Sequence, residues 1–421
     1  MKETKKIALK FKRFLTMLGP GLVTGASDDD PSGIATYSQA GAQFGYATLW
    51  TAVLTFPLMA AIQGMCARIG IVTSQGLTVN LKNHYPKSIL YIMLLFSFPA
   101  ITLNIGADIQ GMGAVTHMMF PQIPPFVCSI IFTGILMFII IKYPYQKVAM
   151  ILKWLCLSVL LYIIVPFMVK QDWVTVLKST FIPTIKFNKD FLYILVAILG
   201  TTISPYLFFW QATMEAEDVA HSKKTVIVNK QIMTHMEVDV NVGMLLSNVV
   251  MFFMILTAGS VLYKAGIHQI DTVDQAAKAL EPLAGRFTYL IFTLGIIGTG
   301  LLAIPVLAGS QSYMLSETFG WEAGLDKKFP QAKAFYITIV ISLLVGLCLD
   351  FIGISPIQAL IYTAILYGVT APVLIAIVMH IGNNKKIMGT YTNSKLSNIL
   401  GGITLLLMTI AAVAVVYFQF T

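Results

Sequence analysis

GPGLVTGASDDDPSGIATYSQAG, residues 19–41, is the stretch on which the fold turns. Three consecutive aspartates, Asp28, Asp29 and Asp30, interrupt an apolar run and are followed at once by Pro31, Ser32 and Gly33. A carboxylate inside a membrane span is costly and is rarely present without a partner or a cavity. Proline withholds a backbone donor, and glycine tolerates unwound backbone. The stretch reads as one span, about 15–43, broken in its middle so that two half-helices meet at a polar site. An ordinary loop at the aspartates is the weaker reading. It would leave 31–43 too short to cross a bilayer, which takes about 20 apolar residues.

The rest of the chain agrees with a membrane setting. Of its 421 residues, 57% are hydrophobic and 11% are charged, where a soluble protein carries about a quarter charged. Ten further spans are expected near 47–71, 88–115, 124–142, 147–169, 190–216, 240–263, 286–314, 334–352, 355–381 and 396–419 (about 20 residues each). Eleven spans in one all-α domain, residues 1–421, leave no room for a separate soluble unit. The net charge of +9 comes from short loops and does not indicate nucleic acid. The N-terminus and the loops after even-numbered spans hold 21 of the 28 Lys and Arg residues. That bias predicts a cytoplasmic N-terminus and, with an odd span count, a C-terminus outside. The expected partners are the lipid bilayer and divalent metal ions, with no nucleic acid and no obligatory protein partner. Val273–Leu283 and Glu322–Lys333 are expected as short surface helices.

Span six, ILVAILGTTISPYLFFWQA (194–212), carries Gly200, Thr201, Thr202, Ser204 and Pro205 at its centre. A proline there frees carbonyls that need new partners. The breaks thus fall in the first and sixth spans, the equivalent members of two five-span halves, about 15–169 and 190–381, with an extra helix at about 396–419. This is the inverted-repeat plan in which paired broken helices bind substrate near the membrane midplane. Unwound carbonyls, a carboxylate and small hydroxyls form an oxygen-rich site, which hard cations such as Mg²⁺, Ca²⁺ and Mn²⁺ prefer. No Walker A sequence, HExxH pair or GxSxG elbow is present, so neither an ATPase nor a membrane protease is indicated and no cofactor is expected. The six histidines are scattered at loops and span ends, and the four cysteines (Cys66, Cys128, Cys156, Cys348) read as buried, inert thiols.

With these residues in place, the chain resembles the NRAMP family of divalent-metal transporters along nearly its whole length. The resemblance rests on Gly19-Pro20-Gly21, on Asp30-Pro31-Ser32-Gly33 where the family has Asp-Pro-Gly-Asn, and on Ser204-Pro205-Tyr206 where it has Met-Pro-His. It implies a LeuT-type fold with a 5+5 inverted repeat, broken helices 1 and 6, and alternating access. It also implies a metal site made of Asp30 as carboxylate, Thr201 through its carbonyl, Ser204 in place of the methionine, and the carbonyl of Ser27 when the site closes. Gly33 stands in place of the family's asparagine ligand, so it offers no side chain.

These departures resemble the NRAMP-related magnesium transporter branch. Losing a thioether removes the ligand that best separates Mn²⁺ and Fe²⁺ from Mg²⁺ and Ca²⁺. A roomier oxygen-only site suits an ion that keeps several waters. Tyr206 at the histidine position is a poor proton relay at neutral pH, its ordinary pKa being about 10. The expected function is therefore import of Mg²⁺ or Mn²⁺ without proton coupling. The alternatives are a proton-coupled Mn²⁺/Fe²⁺ importer and a sodium-coupled carrier of an organic solute, and the aspartate triplet disfavours an anionic substrate by repulsion. Around the site, Asp28 and Asp29 are expected as solvated residues at a cavity mouth. Asp108 is expected as a relay remnant or an interhelical partner. Glu215, Glu217 and Asp218 are expected as a water-exposed cluster, and Asn241 and Asn248 as interhelical hydrogen-bond partners.

Overall fold

A computed structural model describes residues 19–143, 157–221, 228–351 and 353–420. Among them there are helices and connecting loops and no strand, as lipid demands of a spanning chain whose backbone must satisfy its own polar groups. The helices that matter below are α1 (Pro20–Asp28), α2 (Pro31–Phe44), α3 (Trp50–Thr73), α4 (Leu77–His84), α5 (Lys87–Met119) and α6 (Pro125–Lys142). They continue with α7 (Trp173–Phe181), α8 (Lys189–Thr202), α9 (Pro205–His221), α10 (Lys230–Ala258), α11 (Thr288–Phe319), α12 (Lys333–Leu347), α13 (Pro356–Asn383) and α14 (Lys395–Phe420).

Nine helices among the described residues are long and apolar enough to cross a membrane, α8 and α9 counting as one. The protein is an integral membrane protein. The first expected span is present as the pair α1 and α2, of 9 and 14 residues, neither long enough to cross alone. The fifth, 147–169, falls partly outside the described residues; the part from 157 on holds a 3₁₀ helix, Leu157–Ile163, and a short α-helix, Val165–Met168.

Side-chain contacts tie the connectors together at both ends of the helices. At the basic end, Arg68 pairs with Glu237 at 3.2 Å, Lys82 donates to the Glu317 carbonyl at 3.2 Å, and the Tyr391 hydroxyl donates to the Val228 carbonyl at 2.8 Å. At the other end, Tyr46 donates to Gln171 at 2.6 Å and Lys264 donates to the Lys170 carbonyl at 3.1 Å. The basic stretches 2–13 and 223–224 lie outside the described residues.

Close packing relies on small residues. A Cβ on Gly25 would lie 2.2 Å from the Gly243 carbonyl oxygen, so α1 and α10 touch backbone to backbone, a contact open only to glycine. Leu95, Phe138 and Val413 stay exposed on the outer surface, where lipid replaces water as the neighbour.

Two expectations are corrected here, and one agrees. Residues 273–284 are helical in short pieces, opened by a capping box between Thr272 and Gln275. Residues 322–332, however, form turns: Gly324 sits at φ +145°, Pro330 interrupts, and the Tyr336 hydroxyl ties down the Lys327 carbonyl at 2.6 Å. Cys66 and Cys128 are buried but Cys348 is exposed, because it opens the 3₁₀ turn Cys348–Phe351 after α12, in which no residue is buried. Cys156 lies outside the described residues.

Candidate functional site

The first break is made by local chemistry. α1 stops at Asp28, and Asp29 leaves helical geometry at φ −82°, ψ 52°. Asp30 is extended and caps α2, its Oδ1 accepting from the Gly33 N–H at 2.7 Å. Pro31 follows as the first residue of α2, where its missing N–H is harmless and its φ is preset. The second break mirrors it. α8 ends at Thr202, Ile203 turns away at φ −108°, ψ 57°, and Pro205 opens α9. The Ser204 hydroxyl donates to the Thr201 carbonyl at 2.5 Å, covering one of the carbonyls left over at the end of α8.

The two breaks meet. A Cβ on Gly33 would lie 3.4 Å from both the Asp28 carbonyl oxygen and Thr201 Oγ1, and 3.3 Å from the Tyr37 ring. The Tyr37 hydroxyl in turn reaches Thr202 Oγ1 at 3.1 Å. Asp30, Gly33, Thr201 and Ser204 are thereby brought to one place. Ser27 joins them from α1, but its carbonyl already accepts the Tyr206 hydroxyl at 2.9 Å.

Asp30 is held on its second oxygen as well. Asn104 of α5 donates its Nδ2 to Asp30 Oδ2 at 3.0 Å. The Oδ1 of Asn104 lies 2.9 Å from Thr363 Oγ1 of α13, and Thr363 Oγ1 lies 2.8 Å from the Leu360 carbonyl. Ser32 also donates to that carbonyl, at 2.8 Å.

Ser27, Asp30, Thr201 and Ser204 are each no more than 2% exposed, so the conformation is closed toward both ends. Toward the basic end, the Asp239 carboxylate accepts the N–H groups of Gly19 (2.8 Å), Gly21 (2.7 Å) and Leu22 (3.1 Å), fastening the start of α1 to α10. Gln211 of α9 continues the seal, lying 2.5 Å from Thr24 Oγ1 and donating to Glu215 at 2.9 Å. At the other end, Gln39 of α2 accepts from the Ile270 N–H at 2.9 Å.

Several expectations about neighbouring residues change. Asp28 and Asp29 are not at a solvated mouth; they are 0% and 7% exposed. The helical turn before the break points Asp28 at α10, where Ser247 donates to its Oδ2 at 2.6 Å. Glu215 is buried rather than water-exposed, and Glu217 accepts the Tyr313 hydroxyl at 2.6 Å. Asp108 is fully buried, and its carboxyl group faces the backbone N–H of Ser32 at the start of α2. Asn248 is an interhelical partner, accepting from Thr55 at 2.7 Å. Asn241 is not; its amide returns to the Glu237 carbonyl of its own helix. Among the described residues no three His, Cys, Asp or Glu side chains converge as metal ligands would.

The sequence matches the family model described as "Natural resistance-associated macrophage protein-like", Nramp, over residues 21–418. The chain belongs to the Nramp family. A relative from Caldanaerobacter subterraneus subsp. tengcongensis, named divalent metal cation transporter MntH, is 25% identical over 401 residues, covering 94% of this chain and 91% of that protein. The Bacillus subtilis protein of the same name is 25% identical over 391 residues, covering 91% and 88%. A crystal structure of the Eremococcus coleocola manganese transporter superposes with a TM-score of 0.76 at 17% identity, covering 96% of this chain and 87% of that one. The shared fold is the LeuT-type arrangement. Within this Nramp chain, sequence reasoning missed Asn104, Thr363 and Ser247. A signal for Asn104 was there: an amide within an apolar span is rarely idle. Thr363 had none, since hydroxyls that bond their own helix are common in such helices.

Proposed function

We propose that this Nramp protein is a secondary carrier that moves divalent metal ions, Mg²⁺ and Mn²⁺, into the cytoplasm by alternating access. The observation that supports it most is the meeting of two helix breaks at a single buried carboxylate, Asp30, surrounded by hydroxyls and carbonyls. Asp30 is the anionic contact. Thr201 and Ser27 contribute carbonyl oxygens, Ser204 a hydroxyl, and Gly33 the space its missing side chain leaves. A shell without sulfur discriminates weakly against Mg²⁺, and the ion keeps part of its water.

The two halves, about 15–169 and 190–381, rock against each other as inverted repeats, with the N-terminus cytoplasmic, the C-terminus outside and the protein in the plasma membrane. Transport runs without protons, because the position after the second break holds Tyr206, whose hydroxyl is spent on the Ser27 carbonyl. The membrane potential suffices as driving force, at about 2.3 kcal/mol per charge per 100 mV. A proton-coupled Mn²⁺/Fe²⁺ importer and a sodium-coupled solute carrier are the competing readings.

Flux into liposomes of Mg²⁺, Mn²⁺ and Ca²⁺ in parallel, with internal pH recorded, tests the proposal. Uptake of Mg²⁺ and Mn²⁺ that vanishes in Asp30→Ala and leaves internal pH unchanged is expected. Strong rejection of Mg²⁺, or acidification driven by metal, overturns the selectivity and coupling assignments respectively.

A further inference from the structure

Asp30 in this closed conformation has a donor on each oxygen: the Gly33 N–H on Oδ1 and the Asn104 amide on Oδ2. Both must be reconciled with a cation that seeks the same oxygens. The Gly33 N–H is backbone and holds Oδ1 as part of the cap of α2. Asn104 is a side chain, fully buried, and its amide carries a donor at one edge and an acceptor at the other. Its acceptor edge points at Thr363 Oγ1.

We propose that Asn104 is a ligand of the transported ion, reached by a half-turn of its side-chain amide, and that Thr363 is the positioning residue that permits the turn. The inference rests on the assignment of Asp30 as the metal contact. With no ion, the amide NH₂ donates to Asp30 and the Thr363 hydroxyl donates to Asn104 Oδ1. After the half-turn, the Asn104 oxygen faces the ion beside Asp30 and its NH₂ donates to Thr363 Oγ1. The Thr363 hydroxyl then donates to the Leu360 carbonyl, which already lies 2.8 Å away. A hydroxyl both donates and accepts, so the hydrogen bond lost is the one to Asp30, which the ion replaces. The amide adds a hard neutral oxygen to the site from α5, a helix that contains neither break. Closure around the ion would then draw α5 and α13 toward α2, since Ser32 and Thr363 share the Leu360 carbonyl.

The test uses the full chain in liposomes with Mg²⁺, Mn²⁺ and Cd²⁺ as probes. Asn104→Leu keeps the branched outline and removes the ligand; KM for Mg²⁺ and Mn²⁺ is expected to rise at least tenfold. Thr363→Val is expected to raise KM several-fold, and Thr363→Ser to restore it. Asn104→Cys places a soft ligand beside the ion, so the half-inhibitory Cd²⁺ concentration is expected to fall at least tenfold. An unchanged KM in Asn104→Leu, or no Cd²⁺ gain in Asn104→Cys, overturns the assignment; should Asn104→Leu fail to fold, an unchanged KM in Thr363→Val overturns it instead. Asp30→Ala separates the two levels. If it transports normally, the Asp30 site itself is wrong, whereas loss of transport there with silent Asn104 variants refutes Asn104 only.

Discussion

Replacing Asp239 by alanine should open the protein toward the basic end, and the size of the effect follows from three contacts. One carboxylate receives the N–H groups of Gly19, Gly21 and Leu22, at 2.8, 2.7 and 3.1 Å. Hydrogen bonds to a charged group contribute about 1.5–3 kcal/mol each in isolation, and loss of a helix N-cap costs about 0.5–2 kcal/mol. The three share one anion and do not add, so about 2–4 kcal/mol is a reasonable total. When α1 swings out, water satisfies the same N–H groups in either variant, so the loss falls on the closed state alone. At about 1.4 kcal/mol per tenfold, the open population should rise roughly 30- to 700-fold. Asp239→Asn keeps the oxygen that serves Gly19 and Leu22 but not the charge or the Gly21 contact, and should show about half the effect in free energy. A cysteine at Thr24, which is 0% exposed, reports the change through its labelling rate with a membrane-impermeant thiol reagent, after Cys156 and Cys348 are replaced by serine. The expected order is alanine, then asparagine, then the parent. Equal labelling rates in all three would refute the idea that this carboxylate fastens α1.

Three further outcomes are expected. Gly25→Ala would place a methyl 2.2 Å from the Gly243 carbonyl oxygen, so α1 and α10 must part; overpacking of this kind costs about 1–3 kcal/mol, read as reduced thermal stability in detergent together with faster labelling at position 24. Tyr206→Phe removes the hydroxyl on the Ser27 carbonyl, worth about 0.5–1.5 kcal/mol, and should lower KM for Mn²⁺ by freeing an oxygen, while Tyr206→His should make flux vary with pH around 6–7 where the parent is flat. On the outer surface, Asp172 caps α7 through Val174 and Thr175, and hydrogen bonding from Thr175 holds its carboxyl below the ordinary value of 3.8. Because the folded value is depressed, the cap's contribution is present above 3.8 and is lost as pH falls through the lower folded value. Amide exchange at Val174 and Thr175 should therefore quicken only at strongly acidic pH in the parent, and at every pH in Asp172→Ala.

The two breaks were legible in the sequence because their causes are local. Asp30 followed by Pro31, and Ser204 followed by Pro205, stop one helix and start another through caps and a missing N–H, whatever surrounds them. The apolar runs and the placement of lysine and arginine fixed the class of protein for the same reason: a bilayer tests each segment for length and charge one at a time. The neighbours of the site were not legible. Asp28 and Asp30 stand two residues apart in the chain, yet one turns to Ser247 on α10 and the other to Asn104 on α5. Which way each points depends on how α1 and α2 are rotated against the bundle, and that rotation is set by contacts such as Gly25 on Gly243, more than two hundred residues apart (about two-thirds of them spent in intervening spans). Composition could place three carboxylates in the membrane; only packing decided that two would be buried against other helices and that an amide from α5 would meet the third.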